Sequence, residues 1–246
     1  MKFVALDLET TGLSPEHDAI IEIAALKFED GKLIDTFQSL VNPGFPIPHF
    51  VESITNITDD MVCNAPKFEE LKESLQAFIG DSDILGQNIQ FDVSFLKIKG
   101  LIFSNKLLDT FMLARAIIPN TESYSLEILA EKLGIKLVDA HRAYDDTLAS
   151  VHLMEKLRIL LLKEDDAVLE KILVFLEDQA WSWKDFFIES IKNKNLWADE
   201  INIQREKLRR EEEEKLRPFP HPDETERVTI DLQGKKITEG YIDPDI

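Results

Sequence analysis

Apolar positions in this chain change their period from one end to the other. Residues 2–8 form a nearly unbroken apolar run that reads as a buried strand. Ile20 to Phe28 reads as a second strand and Leu33 to Val41 as a third, and Glu29-Asp30-Gly31-Lys32 between them carries a hairpin signal. Such short links predict an antiparallel trio. The spacing then shifts to three and four. It predicts helices over Phe68–Ile79, Asp92–Lys99, Asp109–Ile117, Ser125–Leu133 and roughly Tyr144–Leu162, with an apolar Ile84-Leu85-Gly86 ahead of the second. Hairpins first and strand–helix units later point to an α/β layer fold with a mixed sheet.

The character changes after residue 162. Residues 166–194 read as two amphipathic helices with Trp181, Trp183, Phe186 and Phe187 at their junction, where helix packing competes with stacking on single-stranded nucleic acid as the use of the indoles. Residues 199–217 read as a charged, solvated helix. Pro218, Pro220 and Pro222 then break the pattern, and Val228 to Ile237 carries a hairpin signal about Gln233-Gly234. The expected organisation is a domain over 1–162, a helical extension over 163–217 and a proline-containing tail over 218–246.

The 246 residues suffice for one substantial domain with an appendage, and no apolar run reaches the length of a membrane span. A single cysteine, Cys63, excludes an intramolecular disulfide and fits a reducing cytoplasm, where it reads as a packing residue. The formal charge of −19 argues against a broad basic surface for nucleic acid. It leaves room for a local acidic pocket in which bound cations capture a polyanion.

Candidate chemistry starts from Asp7 and Glu9, two acids inside the first apolar run. Residues two apart in a strand point to the same face, and Thr10-Thr11-Gly12 ends the strand, so both acids project together near its C-terminal edge. That edge is a common ligand-binding location in α/β sheets. Two further segments carry acids at predicted helix starts: Asn88-Ile89-Gln90-Phe91-Asp92, and His141-Arg142-Ala143-Tyr144-Asp145-Asp146. Helix capping is the plain alternative for Asp92. Carboxylates converging on one pocket at ~4 Å would cost roughly 4 kcal/mol per pair at an effective dielectric of ~20. A cluster of that kind persists when it is partly protonated or filled with cations, and an all-oxygen set suits Mg²⁺ or Mn²⁺.

Asp7-x-Glu9-Thr10-Thr11-Gly12, Asn88-x-x-Phe91-Asp92 and His141-Arg142-Ala143-x-x-Asp146 together resemble the three signature motifs of the DEDDh, or DnaQ-like, 3′–5′ exonucleases. This family includes the proofreading epsilon subunit of bacterial replicative DNA polymerase. The resemblance covers roughly residues 1–162. It implies a ribonuclease H-like fold, a five-stranded mixed sheet flanked by helices, here with a helical C-terminal extension. It implies that Asp7, Glu9, Asp92 and Asp146 hold two Mg²⁺ or Mn²⁺ ions. His141 would be the general base, placed in the loop just before the last helix, from which it can swing toward substrate. The spacing of five selects Asp146 over Asp145, and the tyrosine subfamily, with its tyrosine four residues before the last acid, fits less well.

The resemblance also places Thr10, Thr11 and Gly12 beside the terminal 3′-OH, Leu13 against the terminal base, Ile54 as a wedge between the last bases, and Asn88 where it contacts the phosphate or braces the site. Asn56 stands where many relatives carry glycine, which requires a left-handed backbone, and Gln87 stands where many carry histidine, which alters the bonding behind the site. The implied substrate is the 3′ end of single-stranded or frayed DNA in preference to RNA, cut to nucleoside 5′-monophosphates in the cytoplasm. A polymerase, or a fused helicase as in the exonuclease module of DinG-type helicases, is the implied partner, with the tail as a linker. An exoribonuclease, and a non-catalytic assembly module working through residues 163–246, are the alternatives the motifs leave open.

Overall fold

The computed structural model describes residues 1–137, 141–199, 201–203, 231–232 and 235–236. The chain divides into a unit over residues 1–201 and a second over 202–246.

Five strands build the sheet of the first unit: β1 (Lys2–Thr10), β2 (Ile20–Glu29), β3 (Lys32–Leu40), β4 (Asp83–Gly86) and β5 (Leu107–Asp109), in the order β3-β2-β1-β4-β5. The predicted trio is present, with β1–β2 and β2–β3 antiparallel. Asp30 and Gly31 both take positive φ (48° and 76°), the two-residue turn whose twist suits a hairpin. β4 and β5 then add in parallel, β4 directly beside β1. Gly86 is needed there, because a Cβ on it would lie 2.7 Å from the carbonyl oxygen of Leu6.

The helices are α1 (His49–Thr55), α2 (Asp59–Val62), α3 (Phe68–Ile79), α4 (Gln90–Ile98), α5 (Thr110–Ile117), α6 (Leu126–Leu133), α7 (Ala143–Leu161), α8 (Asp166–Leu176) and α9 (Lys184–Lys192). The alternation of β1 sorts them into two layers. Phe3 and Ala5 share a core with Leu113, Leu129, Leu153 and Leu157 of α5, α6 and α7, whereas Val4, Leu6 and Leu8 share another with Leu75 and Ile79 of α3 and Val93 and Phe95 of α4. By the same alternation Asp7 and Glu9 point to the α7 side.

Three elements escape the periodicity. The short α1 and α2 carry too few turns to show it, and the three-residue β5 runs up to the predicted helix start: Asp109 ends that strand and caps α5, its side chain accepting from the Phe111 amide. Asp92 does not begin its helix either. α4 starts two residues earlier, and Asp92 sits in its first turn.

The aromatic junction after residue 162 is packing surface. Trp183, Phe186 and Phe187 belong to the same core as β1 and α7, with Leu169 and Leu176 of α8, and the Trp183 indole donates to the carbonyl of Asp109 at 3.0 Å. Cys63, by contrast, is exposed and does not pack. In the second unit Asp231–Leu232 pairs antiparallel with Lys235–Lys236, within the expected hairpin. The predicted charged helix, apart from residues 199 and 201–203, and the proline segment lie outside the described residues. Among the described residues no helix is long and apolar enough to cross a membrane.

Candidate active site

Three segments converge at the C-terminal end of β1. Asp7 and Glu9 come from the strand itself, and the first turn of α7, which lies across β1 and β2, brings Asp146. Asp7, Glu9 and Asp146 each present an oxygen within 4.8 Å of the others. Asp92 arrives from the opposite layer. Its Oδ1 accepts the Leu8 amide at 3.0 Å, which fixes the buried carboxylate at the strand between the two acids and close enough to Asp7 for the two charges to oppose each other.

The electrostatic consequence is an excess of uncompensated negative charge. Burial, then the charges of Asp92, Glu9, Asp146 and Glu22, hold Asp7 well above the usual carboxylate range. Glu9 is pushed from 4.5 to about 8 by burial and by Asp146 and Glu22, with Arg142 pulling the other way. Asp146 rises to about 6, chiefly through burial, against the opposing hydrogen bond from His141. Burial also raises Asp92, despite the backbone amides that favour its charged form. An all-oxygen donor set held together against its own repulsion fits a hard divalent cation.

His141 lies in the loop immediately before α7, as expected, with a left-handed backbone (φ 64°). Its amide donates to Asp146 Oδ2 at 3.0 Å, while its Nε2 meets Glu127 Oε1 of α6 at 3.0 Å. The next two residues are anchored below. Arg142 Nε and Nη2 donate to the two oxygens of Glu22 at 3.1 and 2.8 Å, and the Ala143 amide donates to Glu22 Oε2 at 3.1 Å. Glu22 stands opposite Glu9 in the β1–β2 ladder and is 1% exposed.

The strand-end loop is tightly specified. Thr11 is buried, donating its amide to Ala19 O and accepting the Ala19 amide on its hydroxyl at 2.9 Å, so both groups are committed within the loop. Thr10 Oγ1 donates to Gly12 O, and Asp18 accepts the Ser14 amide at 2.8 Å. A Cβ on Gly12 would lie 2.4 Å from Asp18 Oδ2. Between Glu9 and Thr10 the ladder slips by one, leaving Ile21 to pack with Ile47, Val51, Ile57 and Val62 under α1 and α2.

That packing displays α1 at the same end of the sheet. Leu13 is 84% exposed and Ile54 48% exposed, two apolar side chains turned to solvent. Asn56 caps α1 in the left-handed region (φ 56°), the conformation its place in the motif requires. Asn88 is exposed, also left-handed, and donates its amide to Asp109 Oδ1 at 2.9 Å. Gln87 braces the wall behind: its Nε2 donates to Tyr124 O at 2.7 Å and its Oε1 accepts from Thr110 Oγ1 at 2.6 Å. Phe91 packs at the core margin, its ring 5.0 Å from that of Phe95.

Glu22, Asp18, Asp109 and Glu127 shape this site without belonging to the motifs. Only Glu22 left a trace in the sequence, as a lone acid in the apolar run Ile20-Ile21-Glu22-Ile23-Ala24, the same anomaly that marks Asp7.

Known proteins are similar to this chain. Residues 4–154 match the RNase_T family model, described as exonuclease. A stretch of 160 residues is 40% identical to the PolC-type DNA polymerase III of Caldanaerobacter subterraneus subsp. tengcongensis, covering 63% of this chain and 11% of the polymerase. A stretch of 158 residues is 37% identical to that of Clostridium perfringens, with the same coverage. This chain therefore spans about a tenth of the length of those relatives. Among solved structures, E. coli exonuclease I in complex with a dT13 oligonucleotide superposes with a TM-score of 0.57 at 21% identity, over 70% of this chain and 43% of that one. Another exonuclease I structure gives 0.57 at 20% identity, over 64% and 40%. At such identities the likeness speaks to the fold, and it bears out the ribonuclease H-like arrangement. The chain belongs to the RNase_T exonuclease family, the DnaQ-like 3′–5′ exonucleases.

Proposed function

We propose that this chain is a metal-dependent 3′–5′ exonuclease that trims single-stranded or frayed DNA to nucleoside 5′-monophosphates. The observation that carries the reading is the meeting of Asp7, Glu9 and Asp146 within 4.8 Å of one another, with Asp92 fixed beside them. Their mutual repulsion and burial leave a site that divalent cations would neutralise. Asp7, Glu9, Asp92 and Asp146 would hold two Mg²⁺ or Mn²⁺ ions, which when bound supply Lewis-acid stabilisation of the charge that develops on the phosphate and on the leaving oxygen.

The chain's own residues supply the rest. His141 takes a proton from the attacking water, whose oxygen bonds to phosphorus as the bond to the 3′-oxygen of the preceding nucleotide breaks. To do so its Nε2 leaves Glu127. Leu13 and Ile54 offer apolar surface to the terminal bases, and Asn88 lies toward the phosphate. Thr10 and Gly12 form the turn beside the 3′ end, whose shape Thr11 maintains from within. Residues 1–162 carry this chemistry, and α8 and α9 of the extension buttress it through Trp183 and Asp109.

DNA is the favoured substrate because the relatives at 37–40% identity are DNA polymerases. The same likeness supports work alongside a polymerase or as a module joined to a larger replication protein, and a fused helicase is the other partner the motifs suggest. The test is degradation of a 5′-labelled single-stranded oligodeoxynucleotide with Mg²⁺ or Mn²⁺, beside a matched RNA. A ladder shortening from the 3′ end, lost in Asp7→Ala and His141→Ala, is expected. Absence of cleavage with either metal overturns the reading, and a strong preference for RNA overturns the choice of substrate.

A further inference from the structure

His141 has a poor intrinsic hold on its place. It is exposed, lies outside α7, and adopts a left-handed backbone that a side chain with a Cβ does not favour. Its side-chain contact among the described residues, to Glu127, is with a half-exposed partner. Besides the bond from its own amide to Asp146, what holds the loop is the pair of residues that follows. Both guanidinium donors of Arg142 that face β2, and the amide of Ala143, converge on the single carboxylate of Glu22.

Glu22 is an improbable residue for a buried position near the start of an interior strand unless something compensates it. It lies between Ile21 and Ile23, both fully buried, and it is itself 1% exposed. Placing a carboxylate there, across the ladder from Glu9, adds to the repulsion in a site already crowded with acids. A planar fork on a carboxylate is specific in direction as well as favourable in energy, and the added backbone amide fixes the position of the turn along the strand. Three hydrogen bonds from two consecutive residues leave the segment little freedom to rotate or slide.

We propose that Glu22 is a positioning residue for catalysis: through Arg142 and the Ala143 amide it locks the start of α7, so that His141 is held beside Asp146. The inference rests on His141 acting as the proton acceptor. Groups that orient a reacting side chain from behind typically cost 10–100-fold in activity when altered.

The experiment uses the full chain and a 5′-labelled single-stranded oligodeoxynucleotide with Mn²⁺. Glu22→Gln keeps the size of the side chain but replaces one acceptor with a donor facing Arg142. It is expected to lower kcat about 10–100-fold with KM within about twofold. Arg142→Ala, made at the partly exposed partner, is expected to do the same and carries the test if Glu22→Gln fails to fold. Mn²⁺ affinity by calorimetry should stay within about threefold, because the four metal-facing acids are untouched.

A residue that acts through His141 should lose its effect when His141 is gone. Added to His141→Ala, Glu22→Gln should lower the residual rate by less than about twofold, a non-additivity of the kind seen for groups working as one unit. A folded Glu22→Gln or Arg142→Ala protein with wild-type kcat overturns the proposal. So does a penalty that persists undiminished in the His141→Ala background, which would assign Glu22 to general stability or the metal site. If the unmodified chain cleaves nothing, the exonuclease reading and this inference fall together. An active chain with an indifferent Glu22 defeats this inference alone.

Discussion

The backbone amide of His141 donates to Asp146 Oδ2 at 3.0 Å, joining the loop that carries the histidine to the acid five residues further on. The same bond that positions the loop also draws on one oxygen of the acid. Meanwhile the imidazole Nε2 is engaged by Glu127 at 3.0 Å. A histidine in this arrangement reaches substrate only by exchanging partners.

That exchange should be cheap. Both partners in the His141–Glu127 contact are about half exposed, and exposed pairs contribute roughly 0–1 kcal/mol. Glu127→Ala is therefore expected to leave kcat unchanged or raise it by up to about fivefold. Steady-state rates on a labelled oligonucleotide check this, and a tenfold fall would mean that Glu127 assists the reaction.

The acidic cluster sets a pH dependence with a definite sign. Glu9 titrates near 8 in the folded chain against 4.5 for an ordinary glutamate, and Asp146 near 6. Between the ordinary and the raised values the folded state holds protons that the unfolded chain has released. Metal-free stability should therefore fall as pH rises from 5 through 8. His152, whose burial lowers its pKa, works in the opposite sense, so Glu9→Gln is the comparison that isolates the cluster. Calorimetric melting in a chelator should show Tm dropping over this range in the unmodified protein and less so in Glu9→Gln. A Tm that climbs from pH 5 to 8 would contradict the charge repulsion.

Cations should reverse that trend, since they bind the deprotonated acids and release protons. With saturating Mn²⁺ the Tm at pH 8 is expected to exceed the metal-free value by more than it does at pH 5. Equal gains at both pH values would mean that ions bind elsewhere.

Function and stability should oppose each other at Asp7. Asp7→Asn removes the most crowded charge while keeping the shape of the side chain, so the metal-free protein should melt higher as activity is lost. A lower Tm for this variant, measured in chelator, would show that Asp7 is already compensated in the fold.

The extension should prove inseparable from the fold. Trp183 is fully buried among Phe186 and Leu153, and its indole N–H bonds to Asp109, the residue that holds the Asn88 amide. Trp183→Ala is expected to cost about 3–5 kcal/mol in urea unfolding, and Trp183→Phe about 1 kcal/mol beyond its smaller volume. A chain ended at residue 162 would expose the core surface that α8 and α9 cover and should aggregate. A soluble, cooperatively melting truncation would refute this.

Much of this protein was determined by the order of its residues. The alternation of β1 placed Asp7 and Glu9 on one face, the Asp30-Gly31 turn folded the hairpin, and the spacing of His141 and Asp146 put the histidine before the helix. These are local consequences of backbone geometry, legible wherever a pattern runs for several residues. Only the tertiary structure decided the rest. It made Asp92 a buried first-turn residue bonded to a strand, turned Thr11 inward, set Glu22 under Arg142, and recruited Trp183 to the back of the site. The pairs Asp92–Leu8 and Arg142–Glu22 join residues 84 and 120 positions apart. No period within one segment encodes a partner at that distance, because which layer of the sheet a side chain meets is fixed only when the strands and helices pack.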